Sequence, residues 1–122
     1  MMGDFDLESE SVGPGIWLMR LSGKVSALHT PGLRAEVERL MESGYKTFIF
    51  DFSAVTDIDS TGIGAFLAVA KVLSNVQGSA RIFGTTTHIK KVLELAHLTR
   101  YIDVFPSQED AIANRNVLTA AL

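Results

Sequence analysis

One stretch of the chain concentrates residue types that do chemistry: Thr56-Asp57-Ile58-Asp59-Ser60-Thr61-Gly62-Ile63-Gly64. An apolar run precedes it and an apolar segment of helical period follows. A buried strand therefore hands over to a helix here, where α/β proteins keep their sites. Ser60 falls at or near the N-cap of that helix, beside backbone N–H groups that have no partner inside it. Most serines at such a place are caps and nothing more. Here Gly62 and Gly64 remove side-chain bulk, so another macromolecule can approach the backbone and reach the hydroxyl. A phosphate on Ser60 would carry about −1.5 to −2; it would gain from the helix terminus and be repelled by Asp57 and Asp59. Those opposing terms favour a phosphate displaced outward. Desolvating it beside two carboxylates on docking would cost a few kcal/mol, about 100-fold in affinity, so modification would act as an off switch.

Other chemistries fit the same residues less well. Ser60-x-Gly62 matches half of a hydrolase nucleophile elbow, but Ile58 occupies the first glycine position, and the strained turn needs that glycine. A base would have to come from His88 or His97, whose spacing to Ser60 decides nothing. Asp57 and Asp59 make a poor acid/base pair, because alternate residues of an extended segment point apart. Gly62-x-Gly64 is followed by Leu67 where a dinucleotide fingerprint needs a small residue, and no Walker lysine follows a glycine loop. His29, His88 and His97 are too scattered for a zinc motif, and the absence of cysteine removes thiol chemistry and disulfides. The residues thus name no catalytic group, no metal ligand and no cofactor. His29 reads as a loop residue and Trp17 as a core or edge aromatic.

The elements that must position Ser60 are legible on either side. Phe5 and Leu7 alternate with acidic residues; Gly13-Pro14-Gly15 then turns the chain into Ile16–Leu21, which predicts a two-stranded opening. Thr30-Pro31 offers an N-cap and a first-turn proline, and Leu33, Val37, Leu40 and Met41 recur at helical spacing until Gly44. Thr47–Phe52 reads as a strand buried on both faces. The helix from about Ser60 to Val76 carries Ile63, Phe66, Leu67, Ala70 and Leu73 on a face expected to meet the sheet. Ala65, Ala68, Val69, Val72 and Val76 cluster opposite, with Gly64, Lys71 and Asn75 as a thin polar seam. Such a helix is either sandwiched in the fold or offers one face to another protein.

A strand at Ala80–Phe83 follows. Thr86 or Thr87 then caps a helix with Ile89, Val92, Leu93 and Ala96 on one side. A last strand covers Ile102–Phe105, and Ser107 with Asp110 forms a capping-box signature for a helix through Ala120. Alternating helices and strands predict an α/β fold, a mixed and mostly parallel sheet of four to five strands packed with about four helices.

Composition bounds the rest. A chain of 122 residues reads as one domain over 1–122, with its core at about 4–121. A formal charge of −3 without a basic face argues against nucleic acid as a partner. The acidic N-terminus is the opposite of a signal peptide, and no run approaches the ~20 apolar residues that span a bilayer. A cytoplasmic protein with no membrane partner is the expectation.

Asp59-Ser60-Thr61-Gly62-Ile63-Gly64 resembles the D-S-[ST]-G-[LI]-G phosphorylation motif of the STAS family, named for sulfate transporters and anti-sigma factor antagonists. Gly23 followed by Leu33-Arg34 is similar to that family's second-strand glycine and first-helix L-[RK]. Val92-Leu93-Glu94-Leu95-Ala96 and Leu98 resemble its L-F-[DE]-x-[ST]-G-L segment, so the resemblance spans most of the chain and points to its small stand-alone bacterial members.

The resemblance implies a non-enzymatic, phosphorylation-controlled switch. The unphosphorylated form would bind an ATP-using serine kinase that doubles as an anti-sigma factor, and so free a sigma factor. Phosphorylation at Ser60, or less readily Thr61, would inactivate it, and a PP2C-like phosphatase would reset it. Partner-binding residues would be Asp57, Asp59, Ser60, Thr61, Gly62, Gly64, Ala65, Ala68, Val69 and Val72; a homodimer is also compatible. Where many switch-type members read G-E-[LI]-D, this chain has Gly23-Lys24-Val25-Ser26, and Ala96-His97 replaces the usual small or glycine pair. The rival reading is a scaffold, a STAS subunit of a stressosome-like or transporter-associated assembly in which Ser60 is seldom modified. A scaffold should elute as a large assembly in gel filtration.

Overall fold

The computed structural model describes residues 5–26 and 30–118; His29 and Ala120 lie outside them. The opening hairpin forms as the alternation predicts: β1 (Phe5–Gly13) pairs antiparallel with β2 (Ile16–Val25) through the Pro14-Gly15 turn, where Gly15 takes φ +72°. The chain then alternates α1 (Thr30–Glu42), β3 (Thr47–Ile58), α2 (Ser60–Ser74), β4 (Ser79–Phe83), α3 (Thr87–Leu95), a 3₁₀ turn (Leu98–Arg100), β5 (Asp103–Phe105) and α4 (Gln108–Ala113). The five strands lie in the order β1-β2-β3-β4-β5, and every pair after the hairpin is parallel.

Each crossover steps the same way across the sheet. The right-handed rule therefore stacks α1, α2 and α3 on one face. Strand alternation supplies the matching surface: Met19, Leu21, Phe48, Phe50, Phe52, Ala80 and Ile82 pack against Leu33 and Val37 of α1, Phe66 and Leu73 of α2, and Ile89 and Leu93 of α3. The intervening residues Leu18, Ile49 and Phe83 point the other way and form a smaller core with Phe105 and Ala111 of α4.

The C-terminal ends of α4 and α3 depart from the sequence expectation. α4 stops at Ala113 rather than running through Ala120, because Asn114 adopts a left-handed conformation (φ 55°) that ends the helix. Its start is as expected: Ser107 Oγ accepts from the Asp110 N–H at 3.2 Å. Arg81 of β4 donates to Ala111 O near the C-terminal end of α4, 2.8 Å away. Burial pushes that guanidinium below the ordinary arginine value, and Asp103 offsets part of the shift.

The second departure is the end of α3. Ala96 is an exposed C-cap rather than a member of the buried side, and His97 follows it at φ 61°. A residue with a Cβ is strained there, so His97→Gly is expected to raise unfolding stability by up to about 1 kcal/mol in urea titration.

Candidate functional site

The site forms where β3 outruns the sheet. The sequence marks a strand only over Thr47–Phe52, yet β3 continues to Ile58. Its first part pairs with β4 over Thr47–Asp51, whereas its last part pairs with β2 alone, through Gly23↔Val55, Lys24↔Asp57 and Val25↔Ile58. Both edges of the strand are therefore occupied at one end and only one at the other. The apolar signal thins accordingly: among Ser53–Ile58, Val55 and Ile58 are the buried residues. The projecting ends of β2 and β3 carry the Asp57–Gly64 segment.

At the handover the cap is Asp59, not Ser60. Asp59 has extended backbone (φ −97°), and its Oδ1 accepts from the Gly62 N–H at 2.9 Å. Its own N–H donates to Val25 O at 3.2 Å, which ties the helix start to the end of β2. A carboxylate caps as well as a hydroxyl and also complements the helix dipole, so aspartate takes the position. Ser60 becomes the first helical residue, and both it and Thr61 are exposed.

The two glycines serve different ends. Gly62 is buried, and a Cβ there would stand 2.7 Å from Val25 O and 2.9 Å from Ile58 Cγ1. Its missing side chain admits β2 from within, rather than a partner from outside as the sequence reading had it. Gly64 is exposed, with nothing within 4 Å of a built Cβ.

Beside them, Gly64, Ala65, Ala68 and Thr61 of α2 face Pro31, Arg34, Ala35 and Glu38 of α1 across a groove of about 470 Å³. Arg34 Nε and Glu38 Oε2 lie 3.8 Å apart along its α1 side.

Val69 does not belong to the outer face: it is 1% exposed and part of the core. It stands three residues after Phe66 and four before Leu73, so helical geometry puts it on their side. Ala65, Ala68 and Val72 are half-buried, and Val76 lies beyond the end of α2 and is exposed.

Asp57 completes the rim. Its side chain is exposed; Oδ1 accepts from the Ile58 N–H at 2.8 Å and lies 3.9 Å from His88 Nε2, in the first turn of α3. The sequence offers His88 only as a candidate base or zinc ligand, and places neither it nor the α1 residues of the groove in the partner-binding set. These positions come from other elements, and no local spacing signals that they would meet. Among the described residues no group of three or more His, Asp or Glu could hold a metal, and no helix is long and apolar enough to cross a membrane.

Comparison with known proteins agrees with this architecture. BtrV of Bordetella bronchiseptica, named as an anti-sigma factor antagonist, is 28% identical over 99 residues, covering 81% of this chain and 85% of BtrV. The anti-sigma factor antagonist SpoIIAA in its unphosphorylated form superposes with a TM-score of 0.78 at 22% identity, over 89% of this chain and 95% of that one. The phosphorylated form of Bacillus SpoIIAA superposes at 0.71 with 23% identity, over 89% and 98% of the two chains. The STAS domain profile matches residues 11–111, from the opening hairpin to α4; on that match and on the fold it describes, this chain belongs to the STAS domain family.

Proposed function

We propose that this chain is an anti-sigma factor antagonist, a cytoplasmic protein-binding switch that acts without catalysis of its own. Its unphosphorylated form docks on an anti-sigma factor that is also an ATP-using serine kinase, and phosphorylation of Ser60 Oγ by that kinase ends the interaction. A phosphatase of the PP2C type restores the free hydroxyl. The observation that carries this reading is the division of labour at the start of α2: Asp59 performs the capping, so the exposed Ser60 hydroxyl is not needed by the fold. The reading that Ser60 is merely a cap loses its ground.

The docking surface on this reading comprises Asp57, Asp59, Ser60, Thr61, Gly64, Ala65, Ala68 and Val72, with Gly62 and Val69 supporting it from beneath. Exposed small residues let a partner backbone come close to the helix start, whose first-turn N–H groups outnumber the single bond that Asp59 supplies. A phosphate there must be desolvated on docking next to two carboxylates, which makes the complex weaker.

The test is affinity capture from a lysate of the source cells, with bound proteins identified by mass spectrometry and the kinase-like partner then titrated by calorimetry. Wild type and Ser60→Ala are expected to bind alike. Ser60→Asp, with a single added charge, should lose about tenfold, and a phosphoserine at the same position about 100-fold. All forms should melt at the same temperature, since the cap is untouched. Equal binding by all of them would remove the switch and leave the scaffold reading.

A further inference from the structure

We infer that the α1 wall of the groove selects the partner: the anti-sigma factor seats an apolar side chain between α1 and α2 and sets a carboxylate against Arg34. This rests on the proposed docking of that partner along α2, and it adds residues of α1 that the chemistry of Ser60 does not involve.

The groove exists because small residues face each other. Ala35 of α1 lies across from Gly64, Ala65 and Ala68 of α2, and none of these side chains is long enough to close the space of about 470 Å³. The lining runs from Pro31 to Glu38 on one helix and from Thr61 to Ala68 on the other, about 10 Å along each at 1.5 Å per residue. Thr61 and Gly64 belong both to this lining and to the first turns of α2. The groove is therefore continuous with the surface around Ser60, and a segment docked there passes into it without leaving the protein.

Charge then says what kind of segment fits. Arg34 and Glu38 are the charged residues of the lining, and both stand on α1; the α2 wall carries none among the described residues. They are paired loosely. Arg34 Nε is 3.8 Å from Glu38 Oε2, beyond hydrogen-bond distance, and about half of each side chain is exposed. The other arginine–carboxylate pairs among the described residues are direct hydrogen bonds: Arg20 to Glu10, Arg39 to Glu36 at 2.7 Å and Arg115 to Asp110 at 2.8 Å. Arg34 thus keeps its planar fork unused beside the groove, and such a fork takes a carboxylate through two parallel hydrogen bonds. α1 follows the end of β2 and α2 the end of the parallel strand β3, so both helices run away from the Ser60 rim. Glu38 is one turn further from that rim than Arg34. It repels a carboxylate placed there, which fixes where along the groove the partner's acid can lie.

The probe is the purified kinase-like protein that wild type captures, titrated by calorimetry at low and at high salt. Arg34→Ala is expected to bind about tenfold more weakly and Arg34→Glu about 100-fold. Arg34→Lys, with the charge but not the fork, should fall between wild type and alanine. Wild-type affinity should drop more steeply with salt than that of Arg34→Ala. Ala35 is exposed, so Ala35→Leu fills the groove from its open side; it should lose about tenfold with no fall in melting temperature.

Arg39→Ala, on the same helix but outside the groove, is the control for net charge. Arg34→Ala within about twofold of wild type, an equal loss from Arg39→Ala, or undiminished binding by Ala35→Leu would overturn the inference. The outcome is separable from the switch. Loss in Ser60→Asp with none in Arg34→Ala or Ala35→Leu keeps the switch and removes the α1 contact; loss in those two with none in Ser60→Asp does the reverse. A wild type that captures no such kinase removes both.

Discussion

Gly62→Ala is expected to lower unfolding stability by about 2–3 kcal/mol, whereas Gly64→Ala, two residues along the same helix, should raise it by about 0.5–1 kcal/mol. Alanine favours the helix at both positions, so the difference in sign is entirely tertiary. The new methyl at Gly62 would sit 2.7 Å from Val25 O, a backbone atom that cannot swing aside. It would also press on Ile58 Cγ1 and Val25 Cγ1, at 2.9 and 3.0 Å. Relief requires moving α2 away from β2, which strains the Asp59 N–H bond to Val25 O and with it the seat of Ser60.

At Gly64 a built Cβ meets nothing within 4 Å, so only the gain in helix propensity remains. Urea titration of both variants measures the pair, and equal destabilisation would contradict the packing described for the start of α2. Gly64→Ala has a second use: if partner docking needs the open surface there, the more stable protein should also be the weaker binder.

Phe66→Ala is expected to have the larger effect on the fold, about 3–5 kcal/mol. Phe66 is fully buried between the sheet and α2, with its ring 5.0 Å from Phe50 and 5.4 Å from Phe52, both edge-to-face. Such aromatic pairs add ~0.5–1.5 kcal/mol beyond the area buried, and truncation forfeits them along with the filled volume. Domains of this size are stable by only about 5–15 kcal/mol, so the variant should lose roughly a fifth of its margin or more. Phe66→Leu keeps most of the volume and should lose well under half as much. The reading is a fall in urea midpoint with little change in slope. A loss below ~1 kcal/mol would mean that Phe66 does not organise this core.

Partner binding by Phe66→Ala should weaken as well, because the groove along α2 is only as well defined as the helix's seat on β3. Phe50 and Phe52 sit on the strand that leads directly into Asp57 and Asp59. Core and rim are therefore joined by a few residues of chain.

Much of this could be read without coordinates, and the reason is local. The 3.6-residue period of α1 and α3, the alternation of β1 and β2, the Ser107–Asp110 box and the turn at Pro14-Gly15 are all set by neighbours within a few residues. So is the junction at Asp57–Gly64, because a buried strand running into an apolar-periodic helix with glycines at its start is a short-range pattern. Alternation of elements then left a mixed sheet with packed helices as the consistent fold, and the motif's resemblance to the STAS family pointed the same way.

What the tertiary structure decided is everything that depends on which distant surfaces meet. Asp59 rather than Ser60 became the cap because Val25 O, from another strand, fixed the Asp59 backbone. Gly62 is small because β2 passes beneath it. Val69 turned inward because the stripe on α2 answers to the sheet and to α1 together; its own spacing to Phe66 and Leu73 carried a signal that a two-faced reading overlooked. Arg34 and His88 are remote from Ser60 in sequence, and only the stacking of parallel crossovers brings α1 and α3 to the same end of α2. Periodicity fixes how each segment buries its own apolar face; the meeting of charges at a rim is set by non-local packing, for which the chain carries no short-range code.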